Sequence, residues 1–239
     1  MTTALVLSAG GMFAAWEVGV WKALFGRLKP DLIVGASAGA WNGWAIAGGA
    51  TPEELTREWM DPLTAKIMRR GLHRFGVLRP EILYQKSREL FSRFQPRLPF
   101  GLTVVEVPRM KPTLVRDAEI TWQYLAATAS IPFGFPPVEI RGARYVDGGL
   151  MGALPLWAAE RMGATRAIAV NSLTMLPFRL LRKVLPPPRF SAALEVIHIE
   201  PSESLGSLRS ATVWSESNIR RWIDLGERDG NRAATSITM

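Results

Sequence analysis

The sequence predicts an α/β fold built on a mostly parallel sheet, in a single domain spanning residues 1–239. Three observations predict it. Two short β-leaning apolar runs, Ala4–Leu7 and Leu32–Val34, each stop at a glycine-rich turn, and each turn opens onto a helical pattern. A strand, turn and helix repeated in this way implies parallel strands joined by right-handed crossovers. The third observation is composition: 239 residues with 48% apolar and 21% charged side chains can fill one sizeable core.

The elements follow in order. After Ala4–Leu7 and the turn Ser8-Ala9-Gly10-Gly11, apolar residues recur at helical spacing through Phe13, Trp16, Val20, Leu24 and Leu28. Leu32–Val34 is the second strand. Gly35-Ala36-Ser37-Ala38-Gly39 ends it and a helix runs from Ala40 to about Ala47. The uncharged stretch Leu32–Pro52 is long enough for a membrane span, but five glycines with Ser37 and Asn42 favour strand, turn and buried helix. Thr51-Pro52-Glu53-Glu54 carries the signs of a helix start, with a capping box from Thr51 to Glu54. Pro80–Phe94 reads as an amphipathic helix, Leu102–Val107 as a strand and Trp122–Ser130 as a helix ending before Ile131-Pro132. Arg144–Val146 leads into Asp147-Gly148-Gly149. A short helix over Leu156–Met162, strands at Ala167–Val170 and Val196–Ile199, and a closing helix from Ser217 to about Arg228 complete the pattern. Met175–Phe190, with four prolines, reads as a loop or flap.

Composition excludes several chemistries. With no cysteine there is no disulfide, thiolate metal site or cysteine nucleophile. Two histidines, His73 and His198, leave no material for a multi-histidine metal centre. No cofactor or metal is expected. The formal net charge is +8, concentrated in residues 65–116, where twelve basic residues face three acidic ones. Such a segment suits an anionic partner, or is simply a solvated face. Without a recognisable nucleic-acid motif, nucleic acid is not the expected partner.

Gly35-x-Ser37-x-Gly39 sits where a strand meets a helix. A serine on a sharp turn exposes its hydroxyl, and small neighbours let the backbone fold tightly. The same pattern also fits a plain packing turn. A serine nucleophile needs a base. His73 lies within the basic segment and His198 within a strand-like run, so a carboxylate is preferred, and Asp147, just past an extended run, is the best placed. Asp-Gly-Gly also fits a plain β-turn. Ala9-Gly10-Gly11 can free backbone N–H groups toward a site.

Together these three blocks resemble the patatin-like phospholipase family, lipid acyl hydrolases with a Ser–Asp dyad. The resemblance rests on Leu5-Val-Leu-Ser-Ala-Gly-Gly11 with Trp16-Glu-Val-Gly19, on Gly35-Ala-Ser-Ala-Gly39, and on Ala129-Ser130-Ile-Pro132, Phe135-Pro-Pro137 and Tyr145-Val-Asp-Gly-Gly149 in order. It implies a three-layer α/β/α sandwich, Ser37 as nucleophile, Asp147 as base, and oxyanion N–H groups from Gly10, Gly11, Met12 and Ala38. Phe13 stands where the family's first block carries arginine, and Ala9 and Ala14 replace glycines. The substrate expected is a phospholipid, lysophospholipid or simpler acyl ester. The alternatives are an acyltransferase using the same acyl-enzyme and a lipid-binding relative without turnover. A cytoplasmic protein is expected, with peripheral contact at an anionic membrane surface. The basic helical segment, about 65–100, is read as a cap over the acyl site in preference to a membrane-facing rim. In the rim reading, the helix around Leu83–Phe94 and the segment Met175–Phe190 meet the lipid.

Overall fold

In the computed structural model, which describes all residues except 69, 74–75, 175–184 and 238–239, the apolar runs become the strands of one eight-stranded sheet. Its order is β10(Glu195–Ile199), β9(Arg166–Val170), β1(Thr3–Leu7), β2(Leu32–Ala36), β5(Phe100–Val107), β8(Ala143–Asp147), β7(Val138–Ile140), and β6(Lys111–Arg116) also pairs with β5. The pairs from β10 to β5 are parallel. Those among β5, β6, β7 and β8 are antiparallel. A small separate hairpin joins β3(Arg70–His73) to β4(Gly76–Leu78).

Both faces of the parallel half are covered, as a parallel sheet requires. Ala4, Val6, Leu32 and Val34 pack on one face with Trp157, Ala158 and Ala159 of α7(Leu156–Arg161). Leu5, Leu7 and Ile33 point the other way, into the larger core. The strand period of two thus divides each run between two layers. The second layer contains α1(Ala15–Leu24), α2(Ala38–Ala47) and the C-terminal helix Glu216–Ile237. The result is the expected three-layer α/β/α arrangement with a mostly parallel sheet. Phe13 is fully buried and meets Trp222 edge-on at 5.1 Å.

Several boundaries differ from the sequence reading. The first helix stops at Leu24, where Phe25 turns to extended backbone, and a 3-10 turn over Gly11–Ala14 precedes it. The closing helix continues to Ile237. The capping box at Thr51 forms, with Glu54 N–H to Thr51 Oγ1 at 3.2 Å and Thr51 N–H to Glu54 Oε2 at 2.9 Å. It starts α3(Pro52–Met60), followed by α4(Pro62–Lys66). Strands β3, β4, β6 and β7 and the helix Leu208–Thr212 had no reading in the sequence. Of the proline-rich flap, 175–184 lies outside the described residues.

The sheet itself brings the candidate site together. On β5, Thr103 pairs with Ala36 of β2 and Val104 pairs with Asp147 of β8, while β6 occupies the opposite edge of both. So β2 and β8 share one edge of β5 and run toward each other, meeting at Thr103 and Val104. Ser37 follows the end of one; Asp147 is the end of the other.

Candidate active site

Ser37 occupies the turn between β2 and α2, at the carboxyl end of the parallel strands where open α/β sheets form their sites. Its backbone is at φ 53°, ψ −130°, a sparsely populated conformation for a residue with a Cβ. Three contacts hold it there. The Ser37 N–H donates to Thr128 Oγ1 at 2.9 Å, and that hydroxyl donates in turn to the Thr103 carbonyl at 2.8 Å. Gly39 lets α2 approach the first strand's loop, because a Cβ there would lie 2.2 Å from the Ser8 carbonyl oxygen.

The Ser37 hydroxyl donates to Asp147 Oδ2 at 2.6 Å. The other carboxylate oxygen, Oδ1, accepts from Gly149 N–H at 2.7 Å, and the Asp147 N–H donates to the Ser130 carbonyl at 3.0 Å. Both members of the pair are buried, at 4% and 6% exposure. Burial pushes the Asp147 carboxyl up to about 7, against the opposing pull of the hydrogen bonds from Ser37 and Gly149. Asp147 therefore changes charge state near neutral pH.

Gly11, Met12 and Ala38 line the same space as Ser37, whereas Gly10, just before the 3-10 turn, lies against Ser172 and is not part of that lining. Gly11 and Met12 open the 3-10 turn and Ala38 opens α2, so their N–H groups precede any intrahelical acceptor. The positive end of the ten-residue α2 points the same way. Gly11 takes φ +54°, a left-handed backbone that suits glycine. The Ser37 N–H, being bonded to Thr128, is not one of the free donors.

A mostly apolar slot leads from Ser37. Along α2 it is lined by Ala38, Trp41, Asn42 and Ala45, which lie on one face at helical spacing. Opposite stand Leu83, Lys86 and Leu90 of α5(Pro80–Arg93). Leu55 and Trp59 of α3 and Ile131 and Phe135 complete its walls. Lys86 is 2% exposed and its ammonium bonds Glu58 at 2.6 Å and Asp61 at 2.9 Å. The apolar side of α5, with Leu83 and Leu90 buried, faces this slot, while Arg88, Glu89 and Arg93 on its other side are exposed.

A second buried polar group lies under the glycine turn. Glu17 accepts from Ser8 Oγ at 3.0 Å, Ser172 Oγ at 3.3 Å and Asn42 Nδ2 at 3.1 Å. Asn42 also donates to the Ala14 carbonyl and accepts from Trp59. Desolvation pushes Glu17 up to about 8, opposed by these hydrogen bonds. Sequence reasoning missed Thr128 and this network. Glu17 carried a signal, as the one acid in a helix whose other charged residue is Lys22; Thr128 carried none.

His198 lies on β10, three strands from β2, and is not bonded to Ser37. His73 belongs to the small hairpin. Among the described residues, no cluster of three His, Asp or Glu side chains could hold a metal. No helix among them is long and apolar enough to cross a membrane.

A family model described as patatin-like phospholipase matches residues 5–160. The crystal structure of VipD from Legionella pneumophila superposes with TM-score 0.56 at 11% identity, covering 98% of this chain and 67% of VipD. The crystal structure of the type III effector protein ExoU gives 0.49 at 13% identity, covering 100% of this chain and 53% of ExoU. Comparison with curated proteins gives no match.

Proposed function

This chain belongs to the patatin-like phospholipase family, and from that premise we propose that it is a serine acyl hydrolase of lipid esters with Ser37 as nucleophile and Asp147 as base. The observation that carries the reading is the 2.6 Å hydrogen bond from the Ser37 hydroxyl to Asp147 Oδ2.

Ser37 Oγ attacks the ester carbonyl carbon as its proton passes to Asp147. The carbonyl oxygen becomes an oxyanion, facing N–H groups of Gly11, Met12 and Ala38. Such donors, fixed before reaction, are each worth about 10²–10³ in rate. Collapse of this intermediate breaks the ester bond, and the alcohol or lysolipid leaves with the proton held by Asp147. A water molecule then gives its proton to Asp147 and its oxygen to the acyl carbon. The carboxylic acid departs and the proton returns to Ser37. A base that titrates near 7 serves both steps at neutral pH.

The acyl chain occupies the slot along α2. Segment 65–100, of which α5 forms the largest part, is the cap over it.

The test is a fluorophosphonate probe followed by intact-mass measurement and peptide mapping. The reading predicts one adduct on Ser37 in the wild type and none in Ser37→Ala. An adduct at another serine, or no adduct on a folded wild-type protein, refutes it.

A further inference from the structure

Four of the seven large apolar side chains that are exposed among the described residues come from three chain segments yet fall on one face: Val77 at 56%, Phe133 at 91%, Leu208 at 46% and Val213 at 48%. Single exposed apolar residues are ordinary; a cluster is not. Contacts tie the three segments together. The Leu78 N–H donates to the Gly134 carbonyl at 3.0 Å, which sets the end of β4, at the base of the hairpin, beside the turn that carries Phe133. Val77, Val213 and Arg209 line one surface depression.

This face adjoins the Ser37 slot. Met68 lines both the slot and the depression. A Cβ on Gly11 would lie 2.4 Å from the Ala211 carbonyl oxygen, so the helix Leu208–Thr212 rests directly on the glycine turn. Ile131 and Phe135 line the slot while Phe133 between them points out, held at φ +65°. The turn thus directs two apolar side chains inward and one into solvent.

The charge around this face is positive. Arg209 sits among the apolar residues and Arg79 follows the hairpin. Both are exposed, and neither has a carboxylate partner among the described residues. In contrast, Lys86 and Arg93 of α5 are committed to Glu58.

We propose that Val77, Phe133, Leu208 and Val213, with Arg209 among them, form an interfacial face that seats the entrance of the Ser37 slot on an anionic lipid surface. Apolar side chains enter the acyl boundary and the guanidinium meets headgroup phosphates, the combination that holds peripheral proteins at membranes. The use of the face rests on the hydrolase reading; its binding to lipid does not.

The experiment is flotation with phosphatidylcholine vesicles and with phosphatidylcholine–phosphatidylglycerol vesicles. It uses Ser37→Ala protein, so that hydrolysis cannot alter the lipid. The second protein adds Phe133→Asn and Val213→Ser; asparagine accepts the left-handed backbone at 133. A third adds Arg209→Gln alone. We expect the parent to float with anionic vesicles, the double change to lower that partition about tenfold or more, and Arg209→Gln to reduce the preference for anionic over neutral lipid. Thermal melting confirms that each variant is folded. With Ser37 restored, the double variant is expected to hydrolyse a soluble butanoate ester at the parental rate. A parent that floats with neither vesicle overturns the proposal. So does a folded double variant that floats unchanged, or one whose soluble-ester activity falls in step with its vesicle binding. Failure of ester hydrolysis by wild-type protein that still floats refutes the assignment of Ser37 and leaves the interfacial face standing.

Discussion

Ala36 and Asp147 end two strands that meet head-on along one edge of β5, opposite the adjacent residues Thr103 and Val104. One strand runs parallel to β5 and the other antiparallel. That opposition carries residues 110 positions apart into a 2.6 Å hydrogen bond. The sheet's register, more than any local motif, builds the pair.

The pH dependence of the reaction follows from the burial of Asp147. Its carboxyl titrates near 7 and acts as base only when ionised. The kcat/KM for a soluble ester is therefore expected to rise with pH, reach half its plateau near 7 and stay level above. A rate profile measured between pH ~5 and ~8.5 checks this; a flat profile there contradicts the role given to Asp147.

Thr128 holds the strained serine in place through its hydroxyl. Thr128→Val keeps the shape but leaves the Ser37 N–H and the Thr103 carbonyl without that partner. A loss of about 1–3 kcal/mol in stability is expected from the unpaired groups. The kcat should fall more than KM changes, because the attacking oxygen, not the acyl slot, is disturbed. Thr128→Ser should restore both, as read by denaturant melts and steady-state kinetics.

Much of this arrangement is legible before any coordinates. β1, β2, α2 and the capping box at Thr51 are written in short-range patterns of apolar spacing, glycine and capping residues. The Ser37 turn is legible for the same reason. Strand β6 is not, because Lys111, Pro112 and Arg116 interrupt its apolar character and its pairing with β5 is decided across the sheet. The hairpin of β3 and β4 lies in the basic segment, whose charges mask any alternation. Phe133 reads as one more aromatic residue in an Ile-Pro-Phe-Gly-Phe run. Only the turn distinguishes it from the buried Phe135. Lys86 looked like part of a solvated basic face, and its burial against Glu58 and Asp61 depends on helices brought together by the core.

Glu17 makes stability depend on pH with a definite sign. Its carboxyl is raised from 4.5 to about 8, so the folded state holds a proton that the unfolded chain releases over that range. Its contribution to stability is complete below about 4.5 and is lost as pH rises through about 8. Glu17→Gln cannot ionise. The Tm of this variant relative to wild type should therefore increase steadily between these two pH values. A difference that stays constant, or moves the other way, excludes a buried carboxyl that titrates in this manner.

Ala45 lines the slot two helical turns or ~10 Å along α2 from Ala38. Ala45→Phe should shorten the slot. Activity toward a palmitoyl ester is expected to fall about tenfold or more, while that toward a butanoyl ester changes little. Parallel kcat/KM measurements on butanoate, octanoate and palmitate esters check the order.

The central claim is that Ser37 and Asp147 act as one unit. Turnover of a soluble ester by wild type, Ser37→Ala, Asp147→Asn and the double variant tests it most directly. The account predicts that each single change lowers kcat by about 10³–10⁴ and that the double change costs no more than either alone. Wild-type turnover by Ser37→Ala, or losses that multiply in the double variant, would contradict it.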